Sequence, residues 1–103
     1  IRSVAVLGAG TMGSGIAQLA ATHGCQVWLM DLSDDLVAQG MRKIEAVTEQ
    51  GVRKHALTPA DAARALAAIT PTTQMESFAS ADLVIEAREV QTRVFDMAKG
   101  PTP

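Results

Sequence analysis

With 103 residues and a formal charge of −2, the chain is one domain or part of one. No run of Lys and Arg exceeds two residues, so a nucleic-acid surface is excluded; residues 3–30 lack Asp, Glu, Lys and Arg, but five glycines with Gln18, Thr22, His23 and Gln26 interrupt them, which excludes a membrane span. Hydrophobic residues are 48% and aromatic ones only 3%, so the core must be built from Ala, Val, Leu, Ile and Met, and the single Cys25 favours a reducing, cytoplasmic setting.

The apolar run Arg2 to Leu7 predicts a first strand. It stops at Gly8-Ala9-Gly10-Thr11-Met12-Gly13, a G-x-G-x-x-G at a strand-to-helix junction. Gly8 permits the tight turn, Gly10 lets a diphosphate approach the backbone, and Gly13 lets the helix pack close to the strand. The helix that follows spans Thr11 to His23, with Ile16, Leu19 and Ala20 as its apolar stripe and Ala17 and Ala21 keeping the approach close. Gly24 suits the left-handed position that ends a helix. A second strand, Cys25 to Met30, leads to Asp31, 18 residues beyond Gly13. That spacing fits the carboxylate that binds an adenosine ribose. The bland alternative is a tight turn in some other α/β domain, with Asp31 merely capping the next helix.

Ser33 is a candidate N-cap, and Asp34 and Asp35 suit the positive end of a helix. Val37, Met41, Ile44 and Val47 carry that helix to about Gly51. Thr58-Pro59-Ala60-Asp61 opens another, with cap, N1 proline and N3 carboxylate, and Ala62, Leu66 and Ile69 as its inner face. The two helices form a hairpin expected to project from the sheet. Thr70 to Thr73 is a short third strand despite Pro71, and Gln74 to Ser80 a turn or short helix. Asp82 to Ala87 is a fourth strand, and Arg88 to Lys99 a final helix before the tail at 100–103. The fold class is α/β: a Rossmann-type parallel sheet with flanking helices and a helical hairpin after strand two. Residues 1–99 form the dinucleotide-binding part. Four strands against the six of a complete doubly wound sheet imply an incomplete domain.

Leu7-Gly-Ala-Gly-Thr-Met-Gly-Ser-Gly-Ile-Ala17, Asp31, the two-helix insertion and Ala81-Asp-Leu-Val-Ile-Glu-Ala87 together carry a resemblance. Over about residues 1–87 the chain resembles the NAD-binding domain of the 3-hydroxyacyl-CoA dehydrogenases. The resemblance implies NAD as cofactor and oxidation of the 3-hydroxyl of an L-3-hydroxyacyl-CoA to the 3-oxoacyl-CoA, in fatty-acid metabolism. It implies that Gly8, Ala9, Gly10, Thr11, Met12 and Gly13 hold the pyrophosphate. Asp31, with Leu32, takes the adenine ribose, and Ala87 and Glu89 stand on the nicotinamide side. Neither Leu32 nor Ser33 offers a positive charge to a 2′-phosphate, so NAD is expected rather than NADP. Lys54 matches a lysine placed near the CoA phosphates, against the plainer reading of a solvated helix end.

The chain departs from the family after Ile85. The segment after Glu86 is a few residues short, and the lysine that follows the family's glutamate has no counterpart in register after Glu89; Gln91 and Arg93 stand nearby. Neither His23 nor His55 matches the family's catalytic His–Glu pair. No catalytic residue or metal ligand is therefore assigned, and the chain alone is expected to bind nucleotide without turnover. Acyl-CoA as partner of the intact enzyme, homo-oligomerisation, and no nucleic-acid or membrane partner complete the expectation. The alternatives are a catalytically inactive nucleotide-binding or interaction module, and a related 2- or 3-hydroxyacid dehydrogenase.

Overall fold

The computed structural model of the chain describes residues 1–87. In chain order these form β1 (Ser3–Leu7), α1 (Thr11–Thr22), β2 (Gln26–Met30), α2 (Asp34–Arg53), α3 (Pro59–Ala67), β3 (Ile69–Thr72), a short 3-10 helix (Met75–Ser80) and β4 (Leu83–Glu86). The helix expected over 88–99, the tail and the boundary between them lie outside the described residues.

The four strands make one parallel sheet in the order β3-β2-β1-β4. Val4, Val27, Ile69 and Leu83 stand in one register row, and Val6, Leu29, Pro71 and Ile85 in another. Alternate residues of a strand face the same side, so Val4, Val6, Val27, Leu29, Ile69 and Ile85 share one face. That face meets Ala17 and Ala21 of α1, Ile44 of α2 and Ala65 of α3 in the core. Pro71 lies on the edge strand, where a missing ladder donor is tolerated.

Several helix faces differ from the sequence reading. Gly13 packs directly on the loop before α1, and this sets the rotation of the helix. Ala17 and Ala21, one and two turns on, are then fully buried. Leu19 lies about 200° round from Ala17 and is 58% exposed, so it is not part of the inner stripe. On α2 the buried positions are Val37, Gly40, Ile44 and Thr48. Val47 is exposed, because contact of Gly40 with Ala9 sets the phase. The Thr48 hydroxyl is satisfied by donating to the Ile44 carbonyl at 2.7 Å. Ile69 belongs to β3 rather than to α3, whose inner face is Ala62 and Ala65. The hairpin of α2 and α3 packs on α1 and contributes to the core rather than standing free. The helix signals themselves hold. Ser33 Oγ accepts from the Leu36 N–H, Thr58 Oγ1 accepts from the Asp61 N–H, and Gly24 has φ +92°.

The first residues of β1 and β4 are tied by Asp82. Its carboxylate accepts from the N–H groups of Arg2 at 2.7 Å and Ser3 at 3.1 Å. These two amides, Arg2 first, hold its pKa below the ordinary 3.8. A depressed carboxylate stabilises the fold above its ordinary pKa, and that contribution is lost as pH falls through the folded-state value. The difference in melting temperature between the chain and Asp82→Asn should therefore be largest near neutrality and shrink as pH drops below 3.8. Thermal melts followed by circular dichroism across that range check this; a pH-independent difference would show that ionisation of Asp82 plays no part.

Candidate functional site

The chain crosses from β3 at one edge of the sheet to β4 at the other, so the strand order reverses beside β1, with β2 and β3 on one side of it and β4 on the other. Ligands of open α/β sheets bind outside the carboxyl ends of strands at such a point. Here those ends are joined by the Ala87 N–H donating to the Leu7 carbonyl at 2.8 Å.

The loop after β1 is shaped by three different constraints. Gly8 has φ +115°, a left-handed conformation that disfavours any Cβ. Gly13 is needed for space, because a Cβ there would sit 1.7 Å from the Gly8 carbonyl oxygen. Gly10 is needed for neither reason. Its backbone is extended at φ −76° and ψ −164°, and a Cβ on it would meet nothing within 4 Å. Ser14 braces the loop from below, its buried hydroxyl donating to the Ala9 carbonyl at 3.1 Å.

The first bond of α1 runs from the Ser14 N–H to the Gly10 carbonyl at 2.9 Å. The N–H groups of Gly10, Thr11, Met12 and Gly13 precede it and have no acceptor among the described residues, and no side chain caps this helix. A helix start with free donors and an aligned dipole is suited to an anion.

Asp31, at the end of β2, is only 9% exposed and points at this loop. Its Oδ2 accepts from the Ala9 N–H at 2.8 Å and its Oδ1 from the Leu32 N–H at 2.7 Å. A carboxylate has about four acceptor positions, so each oxygen retains one. The carboxylate therefore fixes the loop and still offers acceptors beside it.

Gly8, Ala9, Gly10, Asp31, Leu32 and Ala87 line one pocket of about 280 Å³, together with Leu36, Gln39 and Lys43 from α2. Thr11 adjoins it across the start of α1, lining a groove between α1 and α2. Met12 is 54% exposed on α1, and Gly13 is buried beneath the loop. Lys54 caps the far end of α2, is exposed, and borders neither this pocket nor that groove. Glu89 lies outside the described residues. His23 caps α1, its Nδ1 lying 2.9 Å from the Leu19 carbonyl, and His55 is exposed with φ +61° beyond the end of α2. Gly40 and Lys43 were not singled out by the sequence reading. A Cβ at Gly40 would lie 2.7 Å from the Ala9 Cβ, so this glycine lets α2 lie against the loop. An isolated glycine inside a helical pattern was the available signal.

The NAD-binding domain of the 3-hydroxyacyl-CoA dehydrogenases matches residues 3–95. The chain belongs to this family. As a member of it, the chain takes NAD as its cofactor, and the loop geometry fits a dinucleotide: free amides at the start of α1 and open space over Gly10.

Among relatives of this NAD-binding domain, 3-hydroxyadipyl-CoA dehydrogenase of Escherichia coli is 40% identical over 94 residues, covering 91% of this chain and 20% of that protein. The fatty acid oxidation complex subunit alpha of Pseudomonas putida is 39% identical over 87 residues, covering 84% of this chain and 12% of that one. The crystal structure of (S)-3-hydroxybutyryl-CoA dehydrogenase from Ralstonia eutropha superposes with a TM-score of 0.83 at 38% identity, covering 96% of this chain and 36% of that chain. The chain thus spans well under half the length of each. Among the described residues of this domain, no helix is long and apolar enough to cross a membrane and no three His, Cys, Asp or Glu side chains gather as a metal site.

Proposed function

We propose that this chain is the cofactor-holding portion of an enzyme that oxidises the 3-hydroxyl of an L-3-hydroxyacyl-CoA to the 3-oxoacyl-CoA. The single observation that carries the reading is the row of unpaired amides at Gly10 to Gly13 beside the Asp31 carboxylate. NAD, when bound, supplies the hydride acceptor. The amides of residues 10–13 receive its pyrophosphate, and Gly10 leaves room for the phosphates to reach them. Asp31 takes the adenine ribose hydroxyls with the acceptor positions that Ala9 and Leu32 leave open. The negative charge of Asp31 disfavours a 2′-phosphate, which sets the preference for NAD over NADP. Leu32 covers the adenosine side and Ala87 the turn toward the nicotinamide.

Oxidation of an alcohol also needs an acceptor for the hydroxyl proton. Neither His23 nor His55 borders the loop pocket, so the reading assigns that proton transfer, and the grip on acyl-CoA, to parts of the protein beyond these residues. Two of the three relatives are named as dehydrogenases of a 3-hydroxyadipyl-CoA and a 3-hydroxybutyryl-CoA, and the third as a subunit of a fatty acid oxidation complex, which supports the substrate class. Lys54 stands apart from the pocket, and a role at the CoA phosphates rests on the family resemblance alone.

The test is titration of the chain with NADH, followed by cofactor fluorescence. Saturable binding supports the reading, and none at millimolar NADH overturns it. Asp31→Ala should weaken NADH binding about tenfold to a hundredfold, since hydrogen bonds to a charged group contribute about 1.5–3 kcal/mol. Calorimetry showing equal affinity would remove Asp31 from the ribose role.

A further inference from the structure

Lys43 is the one residue of α2 that borders both the loop pocket and the adjoining groove between α1 and α2. In the pocket it stands with Gly8, Ala9, Gly10 and Asp31; in the groove it stands with Thr11, Ser14 and Gly15. Its side chain thus lies on the flank of the loop where α1 begins. Leu36, Gln39 and Lys43 follow one another down the face of α2 that walls the pocket. Leu36 lies at the Asp31–Leu32 end. Lys43 is seven residues on, about 10 Å along the helix.

Among the described residues Lys43 is also a cation without an ion-pair partner. The positions three and four residues away are Gln39, Gly40, Ala46 and Val47, none of them acidic. Among the described residues the ion pairs are Arg53–Glu49 and Arg64–Asp61, and neither involves Lys43. Among the described residues it is the only Lys or Arg lining the pocket, and the Asp31 carboxylate is the other charged group there. A diphosphate entering there brings negative charge close to that carboxylate, and the helix start offers only about half a positive charge against it.

We propose that Lys43 is the cationic contact for the dinucleotide's diphosphate, complementing the amides of residues 10–13. The inference rests on the NAD-binding reading above. Its placement at the α1 end, away from Asp31 and Leu32, assigns it to the diphosphate and not to the ribose 2′ position.

The test compares NADH binding to the chain and to Lys43→Gln at about 50 and about 200 mM salt. Lys43 is exposed, so the variant should keep its melting temperature. The expected result is about fivefold weaker NADH binding, the size of a well-placed but solvated charge contact, with a shallower salt dependence and unchanged affinity for adenosine, which lacks phosphate. Equal NADH affinity and salt dependence in the two proteins would overturn the proposal, as would a loss confined to NADP, which would place Lys43 at the 2′ position. If the unmodified chain binds no NADH, the underlying NAD reading falls and this inference falls with it.

Discussion

Gly13→Ala should unfold most of the chain's structure or lower its melting temperature by about 15 °C or more. The added Cβ would stand 1.7 Å from the Gly8 oxygen and 2.8 Å from the Gly8 carbonyl carbon. Both are backbone atoms of the turn that ends β1, so no side chain can swing aside. Relief requires α1 to move off the sheet, and Ala17 and Ala21, buried in the core on the same face of the helix, would move with it. Overpacking of a core costs about 1–3 kcal/mol when side chains can adjust; a backbone collision belongs at or above the top of that range. A domain of this size is stable by about 5–15 kcal/mol, and each kcal/mol lost lowers its melting temperature by about 4–8 °C. Thermal denaturation followed by circular dichroism measures this directly. A melting temperature within a few degrees of the unmodified chain would show that α1 does not pack on the loop this closely.

Gly10→Val should do the reverse: it spares the fold and removes cofactor binding. The backbone at Gly10 is one that valine adopts, and its Cβ direction is empty to 4 Å. Little in the protein itself therefore resists the side chain. The space it fills is the approach to the free amides of residues 10–13, where the diphosphate must come within hydrogen-bonding distance. The affinity for NADH should fall by about a hundredfold or more, a loss of about 2.7 kcal/mol or greater, while the melting temperature stays within a few degrees. Fluorescence titration beside a thermal melt checks both halves. Retained binding would show that the diphosphate lies elsewhere. The pair of substitutions separates two glycines of one motif, Gly13 serving the protein's own packing and Gly10 serving what arrives from outside.

Local signals in the chain were read well where they depend on neighbours in sequence. The hydroxyls of Ser33 and Thr58 accept the N–H bonds expected of caps, Gly24 takes the positive φ that ends α1, and the apolar runs before Gly8 and Asp31 are strands. Each of these is set within about one turn of chain, so the residue types and their spacing suffice. The grouping of Gly8, Ala9, Gly10, Asp31, Leu32 and Ala87 in one pocket also follows from the strand-end positions those residues hold.

What the residue pattern left open is the rotation of each helix about its axis. Leu19 and Val47 are more apolar than Ala17 and Thr48, yet Leu19 and Val47 are exposed while Ala17 and Thr48 are buried. The choice is made by two close approaches between distant segments, Gly13 on Gly8 and Gly40 on Ala9. Hydrophobic periodicity gives a stripe its width, but only a contact across the fold fixes which edge of the stripe faces in. The same rotation carries Lys43 to the flank of the loop pocket, a placement that its polar, helical neighbourhood in the sequence does not signal. The bond between Asp31 and the Ala9 amide is of the same kind, joining residues 22 apart. The sequence by itself determined that this chain carries a strand-turn-helix built for a dinucleotide, with an acidic residue at the end of the next strand. Tertiary structure alone decided which side chains surround that turn, because the distances that matter are set by how closely two glycines let helices approach it.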